Sequence, residues 1–164
     1  MLSLRKKSKQ HQAPSAAAVA LKPITIENFN DAMALERKNT RFVGSAADVL
    51  AEGYVFREDS AVYGIYAAET IVGLVLLLEE PRRGYYEFTN LFIADTVQHR
   101  GFGTAAVRAV LEKYKKERKA DTVKLQVHKL NKYAIRSYEA CGFTITGQSK
   151  WDENFWVMIC ALTG

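Results

Sequence analysis

Leu91-Phe92-Ile93-Ala94-Asp95-Thr96-Val97-Gln98-His99-Arg100-Gly101-Phe102-Gly103-Thr104 is the stretch on which the fold turns. Its first three residues end a β-rich run, Tyr85 to Ile93. Its last residues open a helical pattern in which Val107, Val110, Leu111 and Tyr114 recur at i, i+3, i+4 and i+7. The loop between them holds two glycines, which permit backbone conformations and close approaches that side chains block. Successive free N–H groups at a helix start, aided by the helix dipole, form a site for phosphate, and Arg100 adds a charge-assisted contact. The loop is not a Walker A loop, because no Gly-Lys-Ser/Thr follows. Nor does it complete a dinucleotide fingerprint, since Ala106 stands where the last glycine belongs. In isolation it reads equally well as a tight turn whose glycines serve packing.

Upstream of this stretch, Val62 to Ala67 and Ile71 to Glu79 are β-rich runs that form a hairpin around Ala68-Glu69-Thr70. Pro81-Arg82-Arg83-Gly84 makes a second turn, with Tyr85 to Ile93 as the third strand of a meander. Further upstream, Ile24 to Lys38 is amphipathic, with Phe29, Ala32 and Met33 on one helical face. Ser45-x-x-Asp48 resembles a capping box that opens a short helix through Gly53. On the other side, Val123, Leu125 and Val127 alternate with Lys124, Gln126 and His128 as a strand. Asn131 to Cys141 is a second helix, which Gly142 ends in a left-handed conformation. Strands around Phe143 to Thr146 and Phe155 to Ala161 follow. This order predicts an α/β domain around a mixed sheet.

A chain of 164 residues suits one domain, and 48% apolar with 25% charged residues is ordinary globular composition. The longest apolar run, Ile71 to Leu78, is far short of the ~20 residues that span a bilayer, so no membrane role is expected. Residues 1–22 carry Arg5, Lys6, Lys7, Lys9, Lys22 and no acid. Of 23 basic residues this leaves 18 against 18 acids, so the formal charge of +5 belongs to the N-terminal segment. A nucleic-acid partner is therefore disfavoured, and nucleic-acid binding that vanished on removing residues 1–22 would be tail electrostatics. The segment reads as a disordered basic extension, with the domain at 23–164. Cys141 and Cys160 lack metal-type spacing and fit small buried hydrophobes in a reducing cytoplasm, with no metal implied.

The residues from Leu91 to Ile93, the four-residue link and Gln98-x-x-Gly101-x-Gly103 resemble motif A of the GNAT acetyltransferases, written Gln/Arg-x-x-Gly-x-Gly/Ala. Asn131-x-x-Ala134-x-x-x-Tyr138-x-x-x-Gly142-Phe143 is similar to that family's following helix and its exit. The resemblance implies a mixed, mostly antiparallel sheet with helices on both faces and a splayed strand pair at an acetyl-CoA site. Leu91, Phe92 and Ile93 would then pair with the pantetheine arm, with backbone N–H groups for a developing oxyanion. Gln98, His99, Arg100, Gly101, Phe102, Gly103 and Thr104 would cradle the pyrophosphate, and Asn131 would hold the arm from the other side. Tyr138 would be the general acid near the sulfur; otherwise it is a core aromatic. His99 departs from the family, where many members have glycine.

Glu87 precedes Gln98 by the spacing of the catalytic glutamate in the family's histone-acetylating branch. An alkyl ammonium, with a pKa near ~10.4, must lose a proton before it attacks a thioester, and a strand carboxylate can accept it directly or through one water. The plainer reading is a solvated residue paired with Arg82 or Arg83. For the acceptor, Ile24 to Phe29, Phe42 to Ser45, Ala51 to Val55, Tyr63 to Tyr66 and Ile71 to Leu74 resemble the polyamine and diamine acetyltransferase branch. That implies a substrate such as spermidine or spermine, with Asp48, Glu52, Glu58, Asp59 and Glu87 and the aromatics Tyr54, Phe56, Tyr85 and Tyr86 as candidates to replace its water. The strand Thr89 to Ile93 departs from that branch. A protein or peptide acceptor and a non-catalytic acyl-CoA-binding module are the alternatives. A homodimer is common in the family.

Overall fold

The computed structural model describes residues 18–162. A seven-stranded sheet runs in the order β1-β2-β3-β4-β5-β7-β6, from Ala20–Pro23 (β1), Ser60–Ala67 (β2), Thr70–Leu78 (β3), Tyr86–Ile93 (β4), Thr122–His128 (β5), Thr144–Gln148 (β6) and Phe155–Ala161 (β7). Helices Phe29–Met33 (α1) and Ala46–Val55 (α2) cover one face, and Phe102–Glu117 (α3) and Lys132–Glu139 (α4) the other. Every neighbouring pair is antiparallel except β4 and β5. The mixed, mostly antiparallel sheet with helices on both faces agrees with the expectation from sequence.

The central strand β3 is buried on both faces, which is why Ile71 to Leu78 is apolar throughout. Leu74 and Leu76 face α1 and α2 together with Val49, Val62 and Phe92. Val75 and Leu77 face α3 with Val107, Val110 and Tyr114. The capping box is present in full, with Asp48 N–H donating to the Ser45 hydroxyl and Ser45 N–H to the Asp48 carboxylate. At the end of α4, Gly142 takes φ +94°, and N–H groups of Gly142 and Phe143 donate to the Glu139 and Tyr138 carbonyls in a Schellman closure.

The N-terminal region differs from its sequence pattern. The helix expected over Ile24 to Lys38 is confined to Phe29–Met33, and only Ala32 of its expected face is buried. Asn28 explains the late start: its Oδ1 accepts from Thr25 N–H at 2.8 Å and its Nδ2 donates to the Pro23 carbonyl, so side-chain bonding holds a turn where a helix would begin. Asp95 draws the other end away, since its N–H donates to the Glu36 carbonyl at 2.9 Å and its carboxylate accepts from Lys38 N–H at 2.6 Å. Ala20, Leu21 and Lys22, read as part of the extension, pair with Tyr66, Ile65 and Gly64 on β2. Residues 1–17 of that extension lie outside the described residues.

Candidate active site

The site is made by two irregularities in β4. The first is a bulge. Leu76 pairs with Thr89 and Leu74 with Phe92, so β4 carries one residue more than β3 across that interval. Asn90 absorbs it at φ +53° and donates from Nδ2 to the Glu52 carboxylate on α2. The extra residue switches the alternation of faces: Glu87, Thr89 and then Phe92 look toward α2, while Tyr86, Phe88 and then Leu91 and Ile93 look toward α3. Gly73 makes this close packing feasible, because a Cβ there would stand 2.1 Å from the Phe92 carbonyl oxygen.

The second irregularity is the loss of pairing with β5. The parallel ladder consists of Tyr86 with Val123 and Glu87 with Lys124. From there to Ile93, β4 keeps β3 as its partner while β5 follows β7. Beside the part of β4 that β5 leaves lies a cavity of about 360 Å³, framed by β4, the loop after it, α3, α4 and the connection between α1 and α2. Leu91, Phe92, Ile93, Gln98 and His99 line it from the strand and loop, and Phe102 and Gly103 from the start of α3. Asn131, Ala134, Ser137 and Tyr138 line it from α4. Arg100, Gly101 and Thr104 are outside that lining; Arg100 and Gly101 are exposed, and the Thr104 hydroxyl donates to Ser137 across the α3–α4 contact.

The loop before α3 explains its own composition. His99 takes φ +61° and Gly101 φ +83°, so histidine occupies a left-handed position that glycine fills at least strain. Its ring stands edge-on to Tyr133 at 5.4 Å. Gln98 turns back to donate to the Ile93 carbonyl and to Asp95 at 3.0 and 3.1 Å, so its side chain braces the loop. Gly101 caps α3 without a side-chain hydrogen bond, which leaves the N–H groups of Phe102, Gly103 and Thr104 without helical partners. A Cβ on Gly103 would meet nothing closer than Ile93 at 3.9 Å. Internal packing therefore does not demand this glycine, and the vacant space is a cradle open to the cavity.

Tyr138 is wedged between Phe88, edge-on at 6.0 Å, and Phe143, tilted at 5.9 Å between ring centroids. Burial, with a smaller contribution from Cys141, pushes its hydroxyl up to about 12, so it stays protonated at any working pH. Asn131 caps α4 by accepting from Ala134 N–H at 3.3 Å, and its amide nitrogen remains available to the cavity.

Glu87 is not in this cavity. It lines a second one of about 200 Å³ on the α2 side of β4, with Glu52, Phe56, Arg82 and Thr89. Burial raises its pKa, and the charges of Lys124 and Arg82 lower it by less. Arg82 is itself held by Asp59 through a bidentate contact. Glu87 and Tyr138 thus stand on opposite faces of β4, with Phe88 touching Tyr138 between them. Of the other acceptor candidates, Asp48 is spent in the capping box, Tyr86 is core, and Tyr54 and Glu58 are exposed. His128 accepts from Leu130 N–H through Nδ1 and packs between Phe42 and Phe155, and Trp151 is exposed. Sequence reasoning missed Asn90, Arg37 and Asp95. An asparagine inside a strand pattern is the one local signal among them.

Comparison with known proteins agrees with this architecture. The chain is 29% identical over 90 residues to the Bacillus subtilis (strain 168) protein named uncharacterized N-acetyltransferase YvbK, a match over 55% of this chain and 57% of that relative's length. Its fold is similar to spermidine N-acetyltransferase from Vibrio cholerae in complex with CoA and spermine, with TM-score 0.67 and 18% identity over 89% of this chain and 96% of that one. It is also similar to the aminoglycoside acetyltransferase AAC(6')-Ib in complex with coenzyme A, with TM-score 0.73 and 20% identity over 88% and 95%. The sequence profile of the acetyltransferase (GNAT) family matches residues 26–143, the span that holds the bulged strand, the loop before α3 and the aromatic wedge of α4. The chain belongs to the GNAT acetyltransferase family.

Proposed function

We propose that this protein transfers an acetyl group from acetyl-CoA to a primary amine, with a polyamine or diamine such as spermidine or spermine as the acceptor. The observation that carries the transfer is the cavity where β4 leaves β5, with unpartnered N–H groups at the start of α3 and the cradle at Gly103. Its residues fit the co-substrate. Phe102, Gly103 and Thr104 would hold pyrophosphate through backbone N–H groups, with Arg100 beside them. Leu91 and Ile93 would bond the pantetheine arm through the strand edge that β5 leaves unpaired, and Asn131 would hold it from α4. Acetyl-CoA supplies an activated thioester.

What supports a polycationic acceptor is the second cavity, which Glu52 and Glu87 line together with Phe56. An ammonium leaving water needs carboxylates and an aromatic face. Glu87 would accept the amine proton, and its upward-shifted pKa makes it a stronger base than a solvated glutamate. Tyr138 would donate to the departing thiolate. With its pKa pushed up to about 12 it is a weaker acid than a thiol near ~8.5, so a hydrogen bond to the developing thiolate is its main contribution.

The test is thiol release from acetyl-CoA with spermine, spermidine, a diamine, an aminoglycoside and a lysine-containing peptide as separate acceptors. Release with the polyamines or diamine supports both reaction and acceptor. Release with the peptide alone keeps the reaction and overturns the acceptor. Binding of acetyl-CoA with no release under any acceptor favours a non-catalytic acyl-CoA-binding module.

A further inference from the structure

Arg37 lies on the connection between α1 and α2 and lines the larger cavity. Asp95 fixes it there by the two backbone bonds to Glu36 and Lys38, and the same carboxylate accepts from Gln98 in the loop before α3. Those contacts occupy Asp95, and no ion pair to Arg37 forms among the described residues. The guanidinium lies over the Phe92 ring at 5.1 Å, which positions it without satisfying its donors. Its Nε is buried with no hydrogen-bond partner among the described residues. A buried donor in that state costs free energy until an acceptor arrives. Burial lowers the Arg37 pKa and the Asp95 charge opposes this, yet a guanidinium stays charged.

The chemistry of the occupant follows from the lining. Among the described residues it contains no carboxylate and Arg37 is its one permanently charged side chain, and Phe102 and Gly103 add backbone donors from the α3 end. Such a surface recognises anionic oxygen, and an arginine fork suits phosphate. We infer that Arg37 is a phosphate-binding residue of this cavity, reaching a phosphate of CoA from the α1–α2 side while the start of α3 holds the co-substrate from the other. The inference rests on the acyl-CoA reading given above, and Asp95 is the positioning residue that ties Arg37 to the loop.

Calorimetric titration of wild type, Arg37→Met and Arg37→Lys with CoA, dephospho-CoA and pantetheine tests it. Arg37→Met should raise the Kd for CoA about 10- to 100-fold, as expected for a lost charge-assisted hydrogen bond. Arg37→Lys should recover part of that loss, and pantetheine should bind all three proteins alike. A loss shared by CoA and dephospho-CoA assigns the contact to the diphosphate; a loss confined to CoA assigns it to the 3′-phosphate. Should Arg37→Met not fold, Arg37→Gln gives the same comparison. Unchanged CoA affinity in the folded variant overturns the inference. If the wild type takes up no CoA, the acyl-CoA reading itself fails and this inference falls with it.

Discussion

Glu87 has its carboxyl in a partly buried cleft between Arg82 and Lys124, and burial outweighs their charges. Its ionised form is therefore penalised in the folded state. The stability this group allows is fully present below the unfolded value of 4.5 and is lost as pH rises through the higher folded value. At pH 7 the penalty is in force, so Glu87→Gln should melt no lower than wild type while the acidic limb of its kcat/KM profile disappears. An unaltered limb would remove Glu87 as the base. Tyr138→Phe should keep the aromatic wedge and CoA affinity but lower kcat about 10- to 100-fold, the worth of a hydrogen bond to developing charge; equal kcat would leave Tyr138 a packing residue. Gly103→Ala separates ligand space from packing. Its Cβ meets only Ile93 at 3.9 Å, and alanine is favoured in a helix, so the melting temperature should hold or rise. The methyl enters the proposed cofactor cradle, and CoA titration should show affinity reduced about tenfold or more.

At the scale of elements, β4 carries the site because it is the least regular strand. A bulge at Asn90 turns Phe92 to the α2 side, and the parting from β5 leaves its later backbone open. Gly73 permits the first of these. Gly73→Ala would drive a methyl into the Phe92 carbonyl, with an expected loss of about 3 kcal/mol in denaturant unfolding. A loss under ~1 kcal/mol would show that β3 and β4 can part at little cost. Helices α2, α3 and α4 were legible in sequence because each has a long apolar stripe or a capping residue that acts locally, as in Ser45, Asn131 and Gly142. The first helix is shorter than its apolar period suggests. Phe29 and Met33 have the right spacing but remain over two-fifths exposed, because Asn28 and Asp95 bond the flanking backbone into other geometries.

Taken whole, the molecule is a sheet whose edges are β1 and β6, with the site at its middle where the sheet divides. Removing residues 1–23 takes away β1, uncovers the backbone of β2 and should lower the melting temperature below that of a chain lacking only residues 1–17, which keeps β1. Equal melting of the two truncations would show that β1 contributes nothing to the fold. The order of helices and strands after residue 44, the meander, and the glycine loop that opens α3 are all readable in the chain's local pattern. Those features depend on neighbours a few residues apart, through apolar period, capping and turn chemistry. That Glu87 and Tyr138 stand on opposite faces of β4, and that β4 gains a residue at Asn90, emerges with the folded chain. So does the placement of Arg37 at the cavity through Asp95, 58 positions away in the chain. A bulge changes every side chain's face beyond it, and a strand's partner, like a buried ion's neighbour, is set by contacts between distant segments that local pattern does not encode.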